Sequence, residues 1–186
     1  MASGIHADIE EVLISEERLR ARVAELAATI ARDYAGKELL MVGILKGAVL
    51  FMVDLARQLD LPLQMDFMAI SSYGNAVETS GEVRILKDLE SSIEGRHVLV
   101  IEDIVDSGLT LRYLVEGLRA RNPASLRICA LLDKEKVQDK PLELSYIGFT
   151  IPDRFVVGYG LDFAQRYRNL PYVGVLKRSV YAGTDG

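Results

Sequence analysis

With 186 residues, 27 acidic side chains against 22 Lys and Arg, and a net charge of -5, the chain lacks the basic footprint of a nucleic-acid binder. Its one cysteine, Cys129, excludes an intrachain disulfide, and two histidines without a cysteine cluster exclude the usual zinc site. The longest apolar stretch, 39–56, is broken by Lys46 and Asp54 and falls short of the ~20 apolar residues of a membrane span; with no basic-then-apolar leader pattern at the N-terminus, the expectation is one α/β domain over 1–186 in a reducing cytoplasm.

In chain order, Ser15 is placed to cap a helix whose apolar residues Leu19, Val23, Leu26, Ile30 and Tyr34 recur at helical spacing, with Gly36 set to end it. Residues 39–45 read as a buried strand, 47–59 as a helix and 63–70, after Pro62, as a second strand. That is a β-α-β unit. Residues 71–82 are rich in Ser, Gly, Asn and Thr and longer than a minimal connection needs, the composition of a lid or of an idle tip. A strand from Val98, a helix over 109–121 and a strand over 126–132 make another unit. The alternation predicts a mostly parallel sheet with helices on both faces. Short strand candidates after residue 144 extend it.

The chemistry concentrates in His97-Val98-Leu99-Val100-Ile101-Glu102-Asp103-Ile104-Val105-Asp106-Ser107-Gly108-Leu109-Thr110-Leu111. A continuous Val/Leu/Ile run is a strand buried on both faces, and in open α/β sheets ligands bind beyond the carboxyl ends of the strands. A Ser/Gly/Thr turn feeding a helix aims backbone N–H groups at an anion, phosphate above all. Glu102 and Asp103 would repel phosphate but suit ribose hydroxyls or a divalent cation. The alternative is plain helix capping by Asp106 or Ser107, which leaves the two acids unexplained where unpaired charge is costly. Neither G-x-x-x-x-G-K-[ST] nor a post-strand G-x-G-x-x-G occurs, which argues against an ordinary ATP or nicotinamide site.

Residues 98–111 resemble the phosphoribosyl-diphosphate signature of the type I phosphoribosyltransferases. Four more blocks resemble the hypoxanthine-guanine branch in order and spacing: Ile44-Leu45-Lys46-Gly47, Ser71-Ser72-Tyr73-Gly74, Leu131-Leu132-Asp133-Lys134, and Ile151-Pro152-Asp153-Arg154-Phe155-Val156-Val157-Gly158-Tyr159-Gly160-Leu161-Asp162. The resemblance implies that fold, with a small hood over the base, and transfer of a phosphoribosyl group from phosphoribosyl diphosphate to a 6-oxopurine. By the same resemblance Asp106 is the acid-base residue, Glu102 and Asp103 hold ribose hydroxyls and one Mg2+, and Asp162 is a second metal ligand. Ser107, Gly108, Leu109 and Thr110 grip the 5-phosphate. Lys46 and Gly47, around a cis bond after Leu45, and Arg168 take the diphosphate, while Ser72 and Tyr73 close over it. Lys134 reads the 6-oxo group, Phe155 stacks on the purine and the Val156 backbone reads its edge. The resemblance also implies a homo-oligomer, dimer or tetramer. Ser107 stands where many relatives have Thr, and Glu135 where some carry a basic residue, which bears on the choice between hypoxanthine and guanine. The competing reading is a regulatory protein on the same fold that senses phosphoribosyl diphosphate or purines.

Overall fold

The computed structural model describes residues 4–72, 83–135 and 142–182. After a 3-10 turn at Ile5–Asp8, the chain forms β1 (Ile9–Ile14), α1 (Glu16–Asp33), β2 (Leu39–Leu45), α2 (Val49–Ala56), β3 (Leu63–Ser72), β4 (Val83–Lys87), β5 (His97–Val105), α3 (Leu109–Arg119), β6 (Ser125–Lys134), β7 (Tyr146–Ile151), β8 (Val156–Val157), β9 (Val173–Leu176) and α4 (Arg178–Tyr181). Ser15 does cap α1, its hydroxyl accepting from Arg18 N at 3.3 Å, and Leu19, Val23, Leu26 and Ile30 are buried.

The main sheet has the order β4-β3-β2-β5-β6-β7. Its strands run parallel except β4, an antiparallel edge on β3. Side-chain alternation explains why β2 and the Val98–Ile101 run of β5 are apolar on both faces. Leu39, Met41, Leu99, Ile101, Cys129 and Leu131 point to the face covered by α1 and α2. Leu40, Val42, Val98, Val100, Ile128 and Ala130 point to the other, against Leu111, Leu114, Val115 and Leu118 of α3. Burying each such aliphatic side chain is worth about 1.5–3 kcal/mol. At the β7 edge, Arg22 of α1 donates to the Gly148 and Ile147 carbonyls at 2.8 and 2.9 Å, covering carbonyls that would otherwise be left open.

A second, three-stranded sheet, β1-β9-β8, forms the hood. It has its own small core of Val157, Tyr167, Leu170 and Leu176. Polar ties reinforce it: Tyr167 donates to Asp8 at 2.7 Å and Lys177 to the Ala7 carbonyl at 2.6 Å. Among the described residues no helix is long and apolar enough to cross a membrane.

Some boundaries differ from the sequence expectation. The second helix begins at Val49, not at 47, because residues 46–48 form a turn at the end of β2. The main strand runs on to Val105, so Glu102 and Asp103 lie inside its ladder with β6, Glu102 opposite Ala130. On the other side, pairing of β5 with β2 stops at Ile101 opposite Gly43. The ladder opens there, and a cleft begins where the acids stand.

Candidate active site

The cleft is built from the carboxyl ends of β2, β5 and β6, with the hood beside them. Because successive side chains on a strand alternate, Glu102 and Asp103 face opposite ways, into two adjoining depressions. The first, about 250 Å3, is lined by Ile44, Ile70, Glu102, Ile104, Val105, Asp106, Ser107, Gly108, Thr110 and Leu111. The second, about 270 Å3, is lined by Asp103, Ile104, Asp106, Lys134, Phe155, Val156, Leu161 and Asp162. Asp106 lines both.

The first depression ends at the start of α3. Gly108 is the N-cap, at φ 75°, and no side chain caps the helix, so the alternative of plain capping by Asp106 or Ser107 does not hold. A left-handed φ costs glycine little. The Ser107 hydroxyl accepts instead from Leu109 N at 3.4 Å, a weak local turn. Asp106 and Ser107 stay exposed, and the helix N-terminus opens toward the depression. Leu109 is 64% exposed and does not line it. Burial first, and then the charge of adjacent Asp103, push the Glu102 carboxyl well above the usual carboxylate range.

Between the depressions and the hood lies the turn after β2. The Leu45–Lys46 peptide is cis, as the resemblance implied. Gly47 is buried, and a Cβ there would overlap the Asp103 carboxylate, while a Cβ on Gly160 would overlap the Gly47 carbonyl. Backbone is thus wedged against backbone at this point, and Gly160, at φ 103°, is required on two grounds. Tyr159 beside it donates to Asp54 of α2 at 2.7 Å, fastening the hood strand to the helix that follows the turn.

Lys46 and Arg168 converge on a residue that sequence reasoning missed. The Gln165 side-chain oxygen accepts from Lys46 Nζ at 3.2 Å and from Arg168 at 3.3 Å, and Gln165 N donates to Asp162 at 2.8 Å. Arg168 also pairs with Asp162 at 2.7 Å and donates to the Gly160 carbonyl at 2.7 Å. In the second depression the Lys134 ammonium lies 3.2 Å from Asp153 and 3.5 Å from Asp106. Asp153 was not singled out from the sequence either. Asp153 meets Lys134, and Gln165 meets Lys46, only through the tertiary fold, and only Asp153's place inside the Ile151–Asp162 block could have drawn attention to it.

Ser72 ends β3 at the same edge of the sheet; Tyr73 and most of the expected lid lie outside the described residues. Among the described residues no three His, Cys, Asp or Glu side chains form a ready-made metal cluster. A cavity of about 650 Å3 lies elsewhere, between α1, α2 and residues 169–171, and holds none of the expected site residues.

Residues 10–164 match the phosphoribosyl transferase domain family. The hypoxanthine-guanine phosphoribosyltransferase of Bacillus subtilis is 55% identical over 174 residues, 94% of this chain and 97% of that protein. The chain belongs to the hypoxanthine-guanine branch of the phosphoribosyltransferases. This family consists of transferases of purine salvage, and the regulatory alternative is not favoured. The bifunctional protein TilS/HprT of Listeria monocytogenes is 52% identical over 178 residues, 96% of this chain and 28% of that longer protein, so the chain spans little more than a quarter of it. The crystal structure of a hypoxanthine phosphoribosyltransferase from Staphylococcus aureus superposes with a TM-score of 0.92 at 50% identity, covering 97% of this chain and 98% of that one.

Proposed function

We propose that the two depressions are the two halves of one transfer site. There the 5-phosphoribosyl group of phosphoribosyl diphosphate passes to N9 of hypoxanthine, and of guanine, giving IMP or GMP and releasing diphosphate. The observation that carries this reading is the position of Asp106, shared by the phosphate-suited depression and by the one walled by Lys134, Phe155 and Val156.

In this reading the Ser107 and Thr110 hydroxyls and the backbone amides of Ser107, Gly108, Leu109 and Thr110 take the 5-phosphate at the positive end of α3. Glu102 and Asp103 accept from the ribose hydroxyls. The turn at Lys46 and Gly47, together with Arg168, receives the diphosphate, and Ser72 and Tyr73 cover it. Cleavage at the sugar C1 builds positive charge on the ring and negative charge on the leaving group, so a site with acids on one side and cations on the other stabilises both. Asp106 manages the proton of the purine near N7. Lys134 donates to the 6-oxo group, a contact that adenine cannot reward because its 6-amino group is itself a donor. Phe155 stacks on the base and the Val156 backbone reads its edge.

This family works with magnesium and phosphoribosyl diphosphate. The residues here fit such an ion: two neighbouring carboxylates, one of them strained toward protonation by burial and by the other's charge, are relieved by a hard, oxygen-bound cation. Glu102 and Asp103 would hold one such ion, with Asp162 a second metal ligand in the depression it shares with Asp103, and when bound the metal would supply charge neutralisation and a template for the diphosphate. The same reading takes residues 1–186 as one domain acting as a cytoplasmic homo-oligomer, dimer or tetramer.

The test is IMP formation from hypoxanthine and phosphoribosyl diphosphate with and without magnesium, with guanine, xanthine, adenine and uracil in parallel. Magnesium-dependent turnover of the 6-oxopurines, with none of adenine or uracil, is expected. No turnover of any base would end the reading.

A further inference from the structure

Phe155 is the most exposed ring in the cleft wall, at 40% exposure. One of its faces is already occupied. The Tyr181 ring lies almost parallel to it, centroids 4.9 Å apart and planes 20° from coplanar. Phe163 meets both rings edge-on, at 5.7 Å and 85° to Phe155 and at 6.5 Å and 67° to Tyr181. Neither Tyr181 nor Phe163 lines the depression that Phe155 walls.

The three rings come from three separate segments. Phe155 precedes β8, Phe163 follows Asp162 in a tight bridge to Arg166, and Tyr181 ends α4. The short α4 is anchored to the N-terminal turn, because Lys177 N donates to the Asp8 carbonyl at 2.9 Å and Lys177 Nζ to the Ala7 carbonyl at 2.6 Å. A half-exposed phenyl ring alone samples several orientations and must be ordered before it can stack on a planar base. Offset-stacked and edge-on neighbours remove that freedom beforehand.

We infer that Tyr181 and Phe163 are positioning residues for Phe155: they clamp its rear face so that the open face is preset against the 6-oxopurine, and the C-terminal turn is thereby part of the base site. This rests on the reading of Phe155 as the base-stacking residue. Neither residue touches the base or the sugar. Their effect is confined to base affinity.

Steady-state kinetics of the full chain test it, with both substrates varied. Tyr181→Ala is expected to raise KM for hypoxanthine about 3- to 10-fold, the worth of one aromatic pair, with KM for phosphoribosyl diphosphate unmoved. Tyr181→Phe keeps the ring and restores the wild-type value. In a Phe155→Leu background, Tyr181→Ala adds nothing further, because the clamped ring is gone. Phe163→Leu reaches the same clamp from another segment and gives the same split should Tyr181→Ala fold poorly. An equal rise in both KM values, no rise in either variant, or full additivity with Phe155→Leu overturns the inference while wild-type turnover leaves the proposed reaction standing. A wild-type chain that turns over no base removes both.

Discussion

The main sheet and the hood are held together by different physics, and the site lies where they meet. On the sheet, residues such as Val42, Leu99, Val100 and Ile101 are wholly buried between helices. One face of the hood carries a small core of four buried side chains with polar ties at its surface, among them His6 to Tyr172 at 2.7 Å and Arg154 to Glu10 at 2.9 Å, while Ile14, Val156, Val173 and Val175 on its other face join the core beneath the sheet. Sugar-phosphate chemistry tolerates no slack, and its residues project from the stiff half. The base-facing residues Phe155, Val156 and Asp162 belong to the smaller sheet and the segments flanking it, where Phe155 is 40% exposed and local opening is less costly. At the cleft the Gly47 carbonyl is wedged against Gly160, so the two backbones meet there.

The largest effect should come from the ionisable residue common to both halves. Asp106→Asn is expected to lower kcat by about 10^2- to 10^4-fold, the usual worth of a positioned acid or base; a rate near wild type would detach Asp106 from the mechanism. On the stiff side, Leu114→Ala should cost about 2–5 kcal/mol of stability by urea denaturation, with both KM values preserved in the protein that remains folded. A change in KM without that loss would mean that the sheet is not the rigid half. On the base side, Lys134→Ala removes a charge-assisted hydrogen bond worth about 1.5–3 kcal/mol. Discrimination between 6-oxo and 6-amino purines should therefore fall roughly 10- to 100-fold, with diphosphate affinity held; equal loss of both would give Lys134 a phosphate or structural role instead.

The smallest effect concerns pH. Arg121 grips Asp88 through two hydrogen bonds of 2.8 Å each and holds its carboxyl below the usual range. A depressed carboxylate pKa stabilises the fold above the unfolded value of about 4, and that contribution is lost as pH falls through the folded value. Both side chains are partly exposed, so solvent screening keeps the worth under about 1 kcal/mol. Asp88→Asn should lower stability at neutral pH slightly and flatten the acid limb of the stability curve below about pH 4. An unchanged limb would assign acid sensitivity to other carboxylates.

The contrast between sheet and hood also decided what could be read from residues alone. Helix α1 was legible because Ser15, five apolar positions at helical spacing and Gly36 all agree, and β2 and the Val98–Ile101 part of β5 because doubly covered strand segments are apolar without interruption. The cluster from Glu102 to Thr110 was legible because its chemistry is contiguous. The hood was not, because β8 has two residues and β9 has four, and β9 pairs with β1 from the far end of the chain, Ile14 opposite Val173. Nor were Gln165 and Asp153, whose partners Lys46 and Lys134 lie 119 and 19 residues away. Asp162 and Arg168 were named only through the family resemblance; their 2.7 Å pairing is a property of the fold.

Hydrogen exchange on the full chain, read with ribose 5-phosphate and then with IMP, tests the division of the site most directly. Ribose 5-phosphate should slow exchange over residues 107–110 and leave residues 155–162 unchanged, and IMP should slow both. Equal protection of the hood by the two ligands, or no hood protection by IMP, would contradict a site whose sugar-phosphate half belongs to the sheet and whose base half belongs to the hood.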